Sequence, residues 1–143
     1  MIIKLLPQQI VDLWDSIRYG IISAIDPMVS ATPENIQAIL CQLLRGDMQC
    51  WCIFSEDKKI YGYITTSIGS DMNTGFKTLT IYSLFMYKKA DINMTTSAFE
   101  SIKNFAKANK CSRMVACSAN PNAISMAEKF GFSKDYTFLV LEV

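Results

Sequence analysis

The sequence contains no histidine. Ser-His-Asp and Cys-His triads therefore cannot be built, and any acid–base step falls to a carboxylate, tyrosine, cysteine, lysine or water. No C-x-x-C pair occurs among its five cysteines, Cys41, Cys50, Cys52, Cys111 and Cys117. Without histidine these give no basis for a zinc site, so no metal is expected. No apolar run approaches the roughly 18 residues of a membrane-spanning helix. Met1 to Pro7 is too short, and too soon broken, to be a secretory segment. The odd cysteine count then points to a reducing, cytoplasmic compartment with no membrane partner. Charge bias is missing too: 14 Lys and Arg against 13 Asp and Glu leave +1, so no field draws nucleic acid.

What is present is ordinary apolar material. The chain has 143 residues, half of them hydrophobic, which suits one domain spanning 1–143. Ile2 to Leu6 reads as a short strand. From Pro7 to Ile22 apolar residues recur at helical spacing, and Asp26-Pro27 breaks the run. Thr32-Pro33-Glu34-Asn35 is an N-cap with proline at the first helical position, and Gly46 closes that helix. Gln49–Ser55 and Ile60–Ser67 read as a hairpin across the turn at Glu56–Lys59, with a polar loop at Gly69–Gly75. Lys77–Met86 is a third long strand. Cys50 and Cys52 lie on one face of their strand and read as core thiols; Trp51 is also taken as core. A helix capped near Thr95, Thr96 or Ser97 carries Phe99, Ile102, Phe105 and Ala106. Then come a strand at Arg113–Ser118, a helix from Pro121 to Lys129, Gly131 as its cap, and a closing strand at Tyr136–Leu141. The order βααβββαβαβ indicates an α+β fold, with a mixed, mostly antiparallel central sheet flanked by helices.

The segment Asn120-Pro121-Asn122-Ala123-Ile124-Ser125-Met126-Ala127-Glu128-Lys129-Phe130-Gly131-Phe132 resembles the end of the GNAT (N-acetyltransferase) fold: strand, Asn-x-x-Ala, helix, Tyr-Glu-Lys-x-Gly-Phe, strand. In this pattern Asn120 caps the helix, Ala123 and Met126 pack it on the sheet, Gly131 takes the left-handed turn and Phe132 anchors the last strand. Gly46-Asp47-Met48-Gln49-Cys50-Trp51, Gly62, Thr65-Thr66 and the helix end Phe105 to Cys111 are similar to short GNAT-like proteins of tailed bacteriophages. Together the resemblance covers roughly residues 34 to 143.

The resemblance implies acetyl-CoA or another acyl-CoA as cofactor, bound between Leu84-Phe85-Met86 and Cys117-Ser118-Ala119, with Asn120 at the next helix start. GNAT enzymes cradle the pyrophosphate in a Gln/Arg-x-x-Gly-x-Gly/Ala loop whose glycines admit the phosphates to a helix N-terminus. The aligned loop here is Ala90-Asp91-Ile92-Asn93-Met94-Thr95. Asn93 and Thr95 stand at the glycine positions, Ala90 at the basic one, and Asp91 brings a negative charge. Lys88 and Lys89, just upstream, are the available cations. The tyrosine that often reprotonates the leaving thiolate is replaced by Ala127. Tyr82, Tyr87 and Tyr136 are the substitutes for that acid, each equally well explained as a strand aromatic; Cys117 is a candidate nucleophile, but without a histidine partner it is better read as a buried structural thiol. Glu100 and Glu128 read as solvent-facing.

Two functions follow. One is an N-acyltransferase acting on an amine of a small molecule or protein, with a degenerate pyrophosphate loop. The other is a GNAT-fold phage protein without catalysis, a virion or interaction component contacting other phage proteins, in the host cytoplasm or the particle.

Overall fold

The apolar stretches of the middle of the chain assemble into one sheet. A computed structural model describes residues 1–24 and 31–143; the break expected at Asp26-Pro27 lies outside the described residues. The strands are β1 (Ile2–Lys4), β2 (Met48–Phe54), β3 (Ile60–Ser70), β4 (Lys77–Met86) and β5 (Arg113–Ala116). They lie side by side in sequence order, antiparallel from β1 to β4 and parallel between β4 and β5. The sheet is therefore mixed and mostly antiparallel, as the sequence implies.

Period-two alternation splits the core into two layers. Cys50, Cys52 and Tyr63 face helices α1 (Pro7–Asp12), α2 (Trp14–Ala24) and α3 (Pro33–Arg45), meeting Ile10, Ile17, Ile21 and Leu43. Trp51, Ile53, Ile64 and Leu79 face helix α4 (Ile92–Ala108), whose Ala98, Ile102 and Ala106 recur every fourth residue. Cys50 and Cys52 are core thiols: burial, with Cys52 adding to it, pushes Cys50 up to about 12, and burial raises Cys52 to about 11. Trp51 is also core, its Nε1–H donating to Thr66 Oγ1 at 2.9 Å while that hydroxyl donates to Gln49 Oε1 at 2.9 Å.

Several boundaries differ from the expectation. The run from Pro7 to Ile22 is two helices meeting at Leu13, because α1 packs against α3 while α2 packs against β4. Strand β3 continues through Gly69 and Ser70, which pair with Thr78 and Lys77. The loop shrinks to a turn in which Asp71 Oδ1 accepts from the N–H groups of Asn73 and Thr74. Helix α4 begins at Ile92, capped by Asp91 rather than by Thr95, Thr96 or Ser97. Thr32 and Gly46 cap α3 as expected, Gly46 at φ 84°.

The C-terminal expectations fare differently. Helix α5 (Pro121–Lys129) buries no residue, so Ala123 and Met126 do not seat it deeply on the sheet. Its end instead leans on α4, Phe130 stacking on Phe99 at 4.7 Å between centroids. Gly131 adopts φ 93°, with the Phe132 N–H donating to the Ala127 carbonyl at 3.1 Å. Phe132 meets Phe99 at 6.0 Å and anchors no strand. Tyr136–Leu141 is not paired into the sheet among the described residues, and no residue beyond Ala106 is buried.

Candidate functional site

Strands β4 and β5 stay together for only four residue pairs, from Thr78–Arg113 to Ile81–Ala116. Beyond Ile81, β4 runs on to Met86 while β5 stops. A bulge falls at that point: Thr65 pairs with Ser83 and Thr66 with Ile81, so Tyr82 is the extra residue. Bulges bend a strand and break its pairing. From Tyr82 onward the β4 edge on the β5 side has no strand partner among the described residues, and β5 gives way to Cys117-Ser118-Ala119. The described cavities lie elsewhere, a groove of about 740 Å³ between α4, β5 and the C-terminal segment and one of about 780 Å³ near the α3–β2 turn.

The bulge reverses the facing of β4. Leu79 and Ile81 look toward α4 before it, and Leu84 and Met86 after it, while Ser83 and Phe85 join the α2 side. Phe85 packs edge-on against Tyr19 of α2 at 5.7 Å. A methyl group on Gly20 would come within 3.2 Å of its ring. Met86 joins the α4-side core, and Leu84 is 37% exposed. What the unpaired β4 edge offers at Leu84-Phe85-Met86 is therefore main chain.

The tyrosine candidates separate by environment. Tyr82 is 61% exposed at the bulge, and its hydroxyl bonds no other described residue. Tyr87 is held on the α2 side, its hydroxyl donating to the Ser16 carbonyl and lying 3.1 Å from Ser16 Oγ. Ser16 Oγ is 3.0 Å from Tyr63 Oη, a phenol that burial raises to about 12. Stacked or edge-on contacts to Tyr19, Phe85 and Tyr63 fix the Tyr87 ring. Cys117 is exposed, which corrects its reading as a buried thiol: β5 ends before it, leaving it outside the sheet.

At the start of α4, Asp91 Oδ1 accepts the Met94 N–H at 2.7 Å, and the Thr95 hydroxyl donates to the Asp91 carbonyl at 2.8 Å. One of the first-turn donors that a helix offers to an anion is thus engaged by the chain's own carboxylate. Asn93 is exposed. The Lys88 ammonium sits 5.8 Å above the Tyr61 ring, and Lys89 is exposed. Asn120 Oδ1 accepts from the Asn122 N–H at 2.9 Å, so it caps α5. Glu100 and Glu128 are exposed and paired with Lys103 and Lys134. Sequence reading missed the bulge and the Tyr63–Ser16–Tyr87 chain. The bulge had a signal, the shift of apolar positions from Leu79 and Ile81 to Leu84 and Met86. The hydroxyl chain had none, because it joins residues far apart in sequence.

No protein-family model and no curated protein matches this sequence. Solved structures do match in shape. A predicted acetyltransferase from Clostridium acetobutylicum, solved with acetyl-CoA, superposes with TM-score 0.75 at 15% identity over 99% of this chain and 95% of that one. An aminoglycoside acetyltransferase from an uncultured soil metagenomic sample gives 0.74 at 17% identity, over 100% and 97%. AAC(6')-Iy in complex with the bisubstrate analogue CoA-S-monomethyl-acetylneamine gives 0.74 at 13%, over 100% and 97%. The chain therefore has the GNAT acetyltransferase fold. No helix among the described residues is long and apolar enough to cross a membrane.

Proposed function

We propose that this protein is an acyl-CoA-dependent N-acyltransferase that delivers an acyl group to an amine. The observation that carries the reading is the parting of β4 and β5 at the Tyr82 bulge, within a fold shared along its whole length with acetyltransferases. An unpaired strand edge suits a chain of amides, which it can bind as an added strand. The pantetheine arm of an acyl-CoA is such a chain, so the β4 main chain from Tyr82 to Met86 fits that half of the molecule. The diphosphate half fits less well: Asp91 occupies the Met94 N–H, leaving Lys88 and Lys89 as the nearby cations. This is the sense in which the loop is degenerate.

Acyl-CoA supplies an acyl carbonyl already activated as a thioester. The chain's own part is to bind and orient through the β4 edge, and to hold a proton at Tyr82 Oη for the departing sulfur. No carboxylate stands on β4 or β2, so the proton of the attacking amine leaves to water. Tyr87 serves this reading less well, its hydroxyl proton being directed at the Ser16 carbonyl.

Thermal melting with acetyl-CoA tests the reading. At about 100 times Kd a ligand adds about 2.7 kcal/mol, which in a chain of this size raises Tm by roughly 5–10 °C. No shift at millimolar acetyl-CoA would sink the acyltransferase. The Asp91 cap favours a second reading, a GNAT-fold protein without catalysis that serves as an interaction component, in a phage particle for instance. It predicts no shift with acetyl-CoA or with acetyl-pantetheine.

A further inference from the structure

The face of the sheet that α4 covers does not stay apolar to its end. Alternation fixes which side chains share that face. Lys4 lies two residues after Ile2 on β1, Gln49 two before Trp51 on β2, and Lys77 two before Leu79 on β4. Ile2, Trp51 and Leu79 belong to the α4-side core, so Lys4, Gln49 and Lys77 continue it as a polar strip beside the last turn of α4. The strip borders the cavity of about 780 Å³, to which Arg45 and Asp47 come from the α3–β2 turn and Phe105 from α4. Lys4 is steered there by Phe105, its Nζ lying 5.2 Å from the centre of the ring.

In a chain of net charge +1, this lining holds three cations, Lys4, Arg45 and Lys77, and one anion, Asp47. None of the three cations is paired with a carboxylate among the described residues. The carbonyls at the end of α3 are engaged elsewhere: Gln42 accepts from the Asp47 N–H at 3.0 Å and Leu43 from the Gly46 N–H at 3.3 Å. A further donor is fixed from inside the protein. The Trp51 indole N–H can only donate, and it donates to Thr66 Oγ1. The Thr66 hydroxyl passes its own hydrogen to Gln49 Oε1. Gln49 is thereby oriented by its oxygen, and its –NH2 group, which has no partner among the described residues, is left for the cavity that it lines. Cations gathered without a counter-ion repel one another, and an oxyanion between them turns that repulsion into charge-assisted hydrogen bonds.

We infer that this cavity binds a small, multiply charged oxyanion, a phosphoryl compound or a polycarboxylate. Lys4, Arg45 and Lys77 supply the charge, and Gln49 supplies a directed neutral donor. Lys77 opens β4 and Met86 closes it, about 30 Å apart at the rise of a strand. Occupancy here is therefore independent of acyl-CoA on the unpaired β4 edge.

Calorimetric titration of the full chain at low salt, with inorganic pyrophosphate and separately with citrate, tests this. The expected result is one saturable site with a Kd below about 1 mM for at least one of them, weakening as sodium chloride screens the cations. Preference for pyrophosphate marks a phosphoryl ligand, and preference for citrate a polycarboxylate. Gln49→Glu keeps the acceptor for Thr66 and puts a carboxylate oxygen where the –NH2 group stood, so it should weaken binding at least about tenfold. No saturable binding of either anion at millimolar concentration overturns the proposal, as does full affinity in the folded Gln49→Glu variant. Loss of binding in the double variant Lys88→Ala, Lys89→Ala places the anion at the start of α4 and overturns it too. Should Gln49→Glu misfold, the side-chain amide resonances of Gln49 in the unaltered chain decide. A shift that saturates with the anion supports the site, and no shift overturns it.

Discussion

Residues up to Ala106 and those after it are built on different terms. The first region covers both faces of a four-stranded antiparallel sheet and supplies every buried residue among those described, from Leu5 to Ala106. The second has a four-residue strand, a helix with no buried side chain and an open apolar end. Stability resides in the first, whereas the second carries the free edge of the sheet at β5. A fold can thus keep its scaffold self-sufficient while its C-terminal third stays thinly packed.

The sharpest way to break that contrast is to truncate one apolar side chain in each region. Leu79→Ala, at a fully buried position, should cost about 2–5 kcal/mol. Met126→Ala in α5 should stay within about 1 kcal/mol. Urea midpoints measure both, and equal losses would dissolve the distinction. Next in size is Thr66→Val, which strips the partner from the buried Trp51 Nε1–H and should cost about 1–3 kcal/mol.

Titration separates the regions as well. Cys50 and Cys52 have folded values of about 12 and 11, raised above the 9.0 of the unfolded chain. Between those limits the folded state holds more protons than the unfolded one. Their contribution is therefore complete below pH 9 and is lost as pH rises from 9 through 11 to 12. The urea midpoint should fall over that window, less steeply in Cys50→Ala. In the native protein a thiol reagent should modify the exposed Cys117 at once and spare Cys50 and Cys52 until unfolding. The smallest effect belongs to Asp91→Ser. Serine keeps the cap, so stability should move by under about 0.5 kcal/mol. Loss of the negative charge at the α4 start should tighten acetyl-CoA binding about two- to tenfold by calorimetry.

The sequence made the first region legible because its signals are local and redundant. Thr32 and Gly46 punctuate α3, and strict alternation assigns Cys50 and Trp51 to opposite faces. The split at Leu13 was hidden because Ile10 and Ile17 lie on one helical stripe while α1 and α2 pack on different partners. Asp91 was aligned as a charge in a phosphate loop, and its role as a helix cap emerged only with the geometry. The segment at Tyr136–Leu141 reads as a strand on propensity alone, but pairing depends on an edge and on cover that composition does not describe. Gly131 was legible as a turn; that its neighbour Phe130 would rest on Phe99 rather than on the sheet depended on where α5 lies.

The bulge at Tyr82 has one more consequence, for what the chain tolerates over generations. It acts as a half-period phase shift: apolar positions count on odd numbers up to Ile81 and on even numbers from Leu84. Losing Tyr82 would let strict alternation run from Ile81 into Ser83 and leave Ser83, Leu84, Phe85 and Met86 on their present faces; losing Ser83 as well would send Phe85 toward α4 and Met86 toward α2. Deletion of Tyr82 alone should therefore be tolerated by the core, and deletion of Tyr82 together with Ser83 purged. The bulge is thus a buffer, taking up one extra residue without changing the face that any apolar side chain of β4 presents.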